Sequence, residues 1–415
     1  GRGLPSLAEV VDGAEVIPYA VLCQTVRQND SVLAKAVRGT LAVPDWRSFC
    51  EQITSLYNDV KRKVPTSAGK NADYIPELAS FDPELYSIAV VTVDGQHLSL
   101  GEADSDFPIE SCSKPFLYAL ACEDLGGEAV HKHVGREPSG VAFNAFTLNK
   151  DNVPHNACIN SGAMMTASLF HAHLPLADRF KKLTSGFADL AGRQKVRFNQ
   201  AVYLSEKNTA HRNFALAYFM KRFNAFPEHV NFLEAVDFYF QSCSIDVTCD
   251  KLAAMASTFA NNGVSPLSGA TVMQPRVVKD SLQLMYSCGL YDYSGEFAVR
   301  VGLPAKSGVS GCIYMVLPGL LGLAVWSPPL DSVGNSVRGI EFCRRFAEEF
   351  NCALLDLIFD TTLAGSHATE KSADEDNVED LPKPSRNNSK LLQKLGSRRL
   401  DAAERARVRS LSARK

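Results

Sequence analysis

Ser111 and Lys114 stand three residues apart at the head of an apolar run, Phe116-Leu117-Tyr118-Ala119-Leu120-Ala121-Cys122, with the length and composition of a buried helix. That spacing puts both side chains on one helix face and commits a lysine to the interior beside a hydroxyl. A serine is a poor nucleophile at neutral pH. The lysine can take its proton only if burial and neighbouring charge hold the amine neutral, at a cost of roughly 4 kcal/mol. A serine at the helix N-terminus also meets backbone N–H groups aimed at any negative charge that develops. Alone, Ser-x-x-Lys is more often a capping serine and a solvated lysine. Two further stretches narrow the reading. Residues 86–100 alternate β-branched and polar positions around Asp94-Gly95, a hairpin signal leading into the Ser111 helix, and Lys306-Ser307-Gly308 precedes an apolar strand-like run at 312–316.

Composition excludes several classes. With 415 residues, 46% apolar and 21% charged, the chain has the composition of a soluble globular protein of two or three compact units. A net charge of -3 gives no global electrostatic case for nucleic acid. The longest apolar run, at 314–326, is broken by Pro318-Gly319 and reads as a hairpin, so no membrane span is expected. The eleven cysteines are odd in number, lack C-x-x-C and follow no interval, which argues against a disulfide framework or a zinc site and for a reducing compartment. His131 and His133, like His171 and His173, have no cysteine or carboxylate at a ligand spacing, and Asp12-Gly13 lacks the acidic ligands of a calcium loop. No metal and no cofactor is expected.

Three regions follow. Residues 1–65 carry helical spacing, with Pro44 and Asp45 suited to a helix start; Pro65-Thr-Ser-Ala-Gly-Lys-Asn71 reads as a linker; residues 66–363 form the core domain; and 364–415 is a charged, disordered tail whose basic end could meet an acidic or membrane surface. Within the core, residues 120–285 are mostly helical by period, making a helical lobe beside the sheet. Strand-like composition returns at 298–326, and Gly334-Asn335-Ser336 reads as the cap of a closing helix. Glu206 and Asn213 lie seven residues apart, two turns if that segment is helical, and would then face one cavity.

Ser-x-x-Lys on a helix with Lys-Ser-Gly on a strand resembles the penicillin-binding-protein and serine β-lactamase architecture. The fold class implied is α/β (α+β): an antiparallel sheet flanked by helices, plus a helical lobe. Longer blocks are more specific: Ala72-Asp-Tyr-Ile-Pro76, Ser111-Cys-Ser-Lys-Pro115, Val134-Gly-Arg-Glu-Pro-Ser-Gly140, Pro154-His-Asn156, Asn160-Ser-Gly-Ala163, Asp237-Phe-Tyr-Phe-Gln241, Leu303-Pro-Ala-Lys-Ser-Gly-Val309 and Trp326-Ser-Pro-Pro-Leu-Asp331. Through them the chain, from about residue 43 to 352, resembles the serine-dependent, β-lactamase-like glutaminases, and most closely the animal phosphate-activated ones.

The resemblance implies hydrolysis of L-glutamine to L-glutamate and ammonia through an acyl-enzyme. It assigns Ser111 as nucleophile, Lys114 as general base, Tyr291 as proton relay to the leaving ammonia with Tyr239 in the same network, and the backbone N–H groups of Ser111 and Val309 as oxyanion hole. Substrate contacts fall on Tyr74, Asn160, Glu206, Asn213, Tyr239, Tyr291 and Val309, with Glu206 neutralising the α-ammonium. It further implies inorganic phosphate as activator, and a dimer of dimers or filament. The segment opening at Gly135 and closing at Asn149, with Phe143 and Phe146, would gate the site at the dimer-dimer contact. Location would be mitochondrial, with the cytoplasm as the alternative; a chain starting at Gly1 would have lost its targeting peptide. Departures are Ser113 inside the motif, Ser161 where relatives carry alanine, Ser310-Gly-Cys312 where a glycine pair is usual, and the lack of ankyrin repeats in the tail. A β-lactamase or cell-wall peptidase shares the first pair but not the blocks around Tyr74, Glu206 and Tyr291. A silent scaffold would not be expected to keep every matched position.

Overall fold

The structure is a computed structural model that describes residues 35–36 and 39–353. The expected tail at 364–415, Asp12-Gly13 and most of the N-terminal region before residue 39 lie outside the described residues. The chain divides into two units, Gly1–Phe346 and Ala347–Lys415. Of the second, the described part is 347–353, the end of the closing helix and the three residues after it.

Eight strands occur among the described residues: β1 (Ser87–Thr92), β2 (His97–Gly101), β3 (Phe107–Pro108), β4 (Arg197–Phe198), β5 (Ile245–Val247), β6 (Ala305–Gly308), β7 (Cys312–Leu317) and β8 (Leu321–Trp326). Five form an antiparallel sheet in the order β2-β1-β8-β7-β6, and β3-β5-β4 form a small second sheet. The Asp94-Gly95 hairpin joins β1 to β2 as expected. Only the edge strand β2 alternates exposed and half-buried positions; β1, β7 and β8 are buried throughout. The helix Cys249–Ala260 packs across β1, β7 and β8 on one face. The opposite set, including Ile88, Val90, Ile313 and Leu323, is buried as well. Contact with the helix is close because Gly322 lacks a side chain, where a Cβ would lie 2.2 Å from the Ser257 nitrogen.

The helix Trp46–Lys63 starts where Asp45 predicts, with the Asp45 carboxylate accepting from the Ser48 N–H. The closing helix Val337–Phe350 is preceded by Ser336, whose hydroxyl oxygen accepts from the Gly339 N–H at 3.2 Å. One boundary differs: residues 298–300 belong to the helix Ser294–Arg300, and strand structure resumes only at Ala305. The helical lobe is present between Asn160 and Cys288.

Two features aim this framework at Ser111. β3 pairs with β5, and the Ile109 N–H then donates to the Ile245 carbonyl at 2.8 Å, fixing the approach to the Ser111 turn. Trp326, fully buried at the end of β8, stacks on Phe107 at 4.7 Å and donates its indole N–H to the Ser310 carbonyl at 2.9 Å. One side chain thus braces both the strand before Ser111 and the turn carrying Val309.

Candidate active site

Ser111 lies in a single tight turn, Glu110–Cys112, just before the helix Ser113–Leu125 rather than within it. Ser111 and Lys114 still share one face, and the chain enters the turn through Glu110, whose φ of +47° is left-handed. Ser113 is occupied: its hydroxyl donates to the Glu110 carbonyl at 2.7 Å, fastening the turn. Lys114 reaches back from the first helical turn, its Nζ 2.9 Å from Ser111 Oγ and 2.7 Å from Asn160 Oδ1. It is 2% exposed. Burial first, and the charge of Lys306 second, lower its pKa from 10.5 to about 8. Roughly one lysine in ten is then neutral at pH 7, against fewer than one in a thousand for a solvated lysine.

Lys306 comes from β6, buried, with Nζ 2.6 Å from the Ser307 carbonyl and 4.4 Å from the centre of the Tyr291 ring. Tyr291 has a φ of +54°, and the Ser294 hydroxyl holds its carbonyl at 2.8 Å. Among the described residues the buried Tyr291 hydroxyl has no hydrogen-bond partner. Burial raises its pKa well above the usual phenol value, and the Ser111 hydroxyl beside it pulls the other way. The Phe143 ring packs at a tilt against Tyr291, 4.7 Å between centres, and the Phe143 carbonyl accepts from the Asn160 N–H at 2.9 Å, so the 135–149 segment is tied to the site at two points.

Val309 sits in the turn between β6 and β7. The Gly311 N–H closes this turn on the Gly308 carbonyl at 3.0 Å, and Gly311 takes a φ of +90°. A three-residue loop ending in a left-handed glycine matches the twist of its strands. Any Cβ at 311 would also meet the Ser327 carbonyl at 2.3 Å. Among the described residues neither the Ser111 nor the Val309 N–H has an acceptor. Val309 packs against the small apolar cluster of Ile75, Leu78 and Val202, which brings the turn beside Tyr74 and Glu206.

There Tyr74, 44% exposed, donates its hydroxyl to Glu206 at 2.6 Å. Glu206 is 7% exposed; burial raises its pKa, opposed by the Tyr74 hydrogen bond and the Lys114 charge. Asn160 Nδ2 donates to Asn213 Oδ1 at 2.9 Å, and Tyr239 OH lies 3.4 Å from Asn160 Oδ1. The two-turn reading of Glu206 and Asn213 is corrected. The helix breaks at Ala210, giving Gln200–Thr209 and His211–Arg222, and the residues approach the site from different helices. Every sequence-predicted site residue is thus placed in two linked groups: Ser111, Lys114, Asn160, Asn213 and Tyr239 in one hydrogen-bonded chain with Tyr291 beside it, and Tyr74 with Glu206 next to the Val309 turn.

Residues 69–355 match the family described as Glutaminase. The chain belongs to the glutaminase family. It is 42% identical over 326 residues to "Glutaminase liver isoform, mitochondrial" of Mus musculus, covering 79% of this chain and 54% of that protein. To the "Glutaminase" of Nostoc sp. it is 42% identical over 306 residues, 73% of this chain and 90% of that protein. The chain spans about half the length of the first curated relatives it matches. Among solved structures it is similar to "Probable glutaminase ybaS", with a TM-score of 0.70 at 36% identity over 75% of this chain and 99% of that one. These neighbours are glutaminases of the β-lactamase-like fold, and the expected fold class holds.

Sequence reasoning left two charged groups of this glutaminase-family site without a role. Lys306 was visible only as part of the Lys-Ser-Gly block, yet it is the buried charge that most affects Lys114. Glu110 is 3% exposed, and its Oε1 has no partner among the described residues; burial and the charge of Glu206 raise its pKa well above the carboxylate range. A glutamate inside the otherwise apolar approach Phe107-Pro-Ile-Glu110 was the signal available. Among the described residues no three potential metal ligands converge.

Proposed function

We propose that this chain hydrolyses the side-chain carboxamide of L-glutamine to L-glutamate and ammonia. The observation that carries the reading is the buried Lys114 amine 2.9 Å from Ser111 Oγ, with its pKa brought down to about 8. The neutral amine takes the Ser111 proton as Oγ attacks the carboxamide carbon. The resulting oxyanion is held by the Ser111 and Val309 N–H groups, each such donor contributing about 3 kcal/mol to the barrier reduction. Ammonia departs with a proton passed from Lys114 through the Tyr291 hydroxyl, leaving an ester at Ser111. Water, deprotonated by Lys114, then releases L-glutamate. Glu206 supplies the negative charge for the substrate α-ammonium, and Asn160, Asn213, Tyr74 and Tyr239 supply the neutral polar contacts. The names of the relatives support the substrate assignment.

The test is ammonia release from L-glutamine by wild type and by Ser111→Ala and Lys114→Met. Turnover lost in both variants with the fold retained is the expected result; turnover surviving Ser111→Ala overturns the nucleophile assignment, and penicillin acylation without glutamine turnover overturns the substrate. The same reading includes activation by inorganic phosphate through assembly of dimers, with 135–149 as the gate. The Phe143 contacts to Tyr291 and Asn160 support that role, and activity per subunit should fall on dilution and be restored by phosphate. A flat dilution series would count against it. A mitochondrial location is part of the proposal on the strength of the mouse relative's name.

A further inference from the structure

Directly after Ser111 comes Cys112, and directly after the turn that carries Val309 comes Cys312. Their sulfur atoms are 3.3 Å apart, and neither residue has any exposed surface. Cys112 Sγ also donates to the Lys306 carbonyl at 3.3 Å, and the Ser310 hydroxyl donates to Cys312 Sγ at 3.3 Å. Gly308 covers the pair: a Cβ there would lie 2.9 Å from Cys312 Sγ and 3.3 Å from Cys112 Sγ. Neither Cys112 nor Cys312 is in a disulfide. We propose that Cys112 and Cys312 form an oxidation site that consumes a hydroperoxide, closes to a disulfide and thereby slows turnover at Ser111.

The chemistry balances within the pair and its oxidant. The Cys312 thiolate attacks one oxygen of the hydroperoxide, the O–O bond breaks, and the alcohol or water leaves, giving a sulfenic acid. Cys112 then loses its proton and attacks the Cys312 sulfur; the S–S bond forms, the S–O bond breaks, and water leaves. Two thiols lose two electrons and one hydroperoxide gains them. Cys312 is the better first nucleophile. Burial opposes its ionisation, but the contact with Cys112, the Ser310 hydroxyl and the Lys306 charge together hold its thiol below the ordinary value. Burial raises Cys112 instead.

The consequence for turnover follows from position. A disulfide brings the sulfurs to about 2.05 Å, about an ångström closer than they stand, and side chains held by the Lys306, Ser310 and Gly308 contacts pass that shift to the two backbones. One of those backbones carries Ser111 and its N–H, and the other carries the Val309 N–H three residues away. A misplacement of that size at reacting groups costs on the order of 100-fold in rate.

The oxidation site rests on geometry alone, whereas its effect on turnover rests on the proposed glutaminase reaction, so two readouts are needed. The purified chain is treated with hydrogen peroxide, then mapped by mass spectrometry of non-reduced peptides, and glutamine turnover is measured before and after dithiothreitol. The expected result is a cross-linked 112/312 peptide pair and a fall in kcat of about 10- to 100-fold, with KM changed little and full recovery on reduction. Cys312→Ala and Cys112→Ala should each abolish both effects. Recovery of both cysteines as free thiols after peroxide overturns the site. A cross-link with unchanged kcat overturns its coupling to Ser111, and inactivation that persists in Cys312→Ala assigns the sensitivity to another residue. If no turnover exists in the untreated chain, the peptide map still decides the oxidation site.

Discussion

Placing a carboxylate against Lys114 tests the general-base role most directly, and Asn160→Asp does so with nearly no change in shape. Asn160 Oδ1 stands 2.7 Å from Lys114 Nζ. At that separation the attraction between an ammonium and a carboxylate is 332/(ε·r): about 6 kcal/mol for an effective ε of about 20, and about 1.5 kcal/mol if the site were as polar as water. With about 1.4 kcal/mol per pH unit, the lysine pKa should rise by roughly 1 to 4 units from its wild-type value of about 8. The direction of the activity change follows. Lys114 acts as a base only when neutral, so kcat/KM in the wild type rises with pH through about 8. A neighbouring carboxylate favours the ammonium, so the same rise moves to higher pH, and at pH 7 kcat/KM falls by at least about 10-fold.

Asn160 also bonds Asn213 and lies near Tyr239, so any substitution there lowers the plateau as well. The position of the rise, not its height, is therefore the measurement. Asn160→Ala supplies the opposite sign: it removes an acceptor of the ammonium without adding charge, so its rise should stay at or below that of the wild type. If Asn160→Asp and wild type rise at the same pH while the plateau drops, the titrating group is not Lys114, and the base assignment fails.

Lys306→Met removes the second cause of the depressed Lys114 pKa, so its kcat/KM rise should also shift to higher pH, read from the same profile; an unshifted profile would mean that the charge of Lys306 is screened from the site. Glu206→Gln removes the charge opposite the substrate ammonium and should raise KM by about 10- to 100-fold with a smaller change in kcat, in line with the 1.5–3 kcal/mol typical of hydrogen bonds to charged groups; an unchanged KM in steady-state assays would place the ammonium elsewhere. Trp326→Phe keeps the stack on Phe107 but leaves the buried Ser310 carbonyl without its 2.9 Å donor, costing about 1–3 kcal/mol in denaturant titration and lowering kcat more than it raises KM; wild-type kcat would show that the Val309 turn does not need this brace.

What could be read in the sequence was local or came as a long contiguous block. Asp45 announces a helix because its carboxylate caps the next three residues, Asp94-Gly95 announces a hairpin because the turn needs those residue types, and the Lys306 block names its own strand. What could not be read depends on chain segments meeting. The break at Ala210 turns two residues of one supposed helix into members of two, and no propensity at that position marks it. Cys112 and Cys312 touch across two hundred residues. The burial of β1 on both sides depends on what packs over the two faces of the sheet, which no local pattern in residues 87–92 carries. The polar atoms left over make the further point. Among the described residues the Ser111 and Val309 N–H groups, Tyr291 OH and Glu110 Oε1 all lack a partner, while nearby Lys114, Asn160 and Asn213 bond one another and Tyr74 bonds Glu206. An unpaired buried polar group costs about 1–3 kcal/mol, and a fold has no reason to collect several in one place for its own stability. Under the proposed reading, these donors, the phenol and the carboxyl are the complement of a small zwitterionic amide, and binding one would supply the partners they lack.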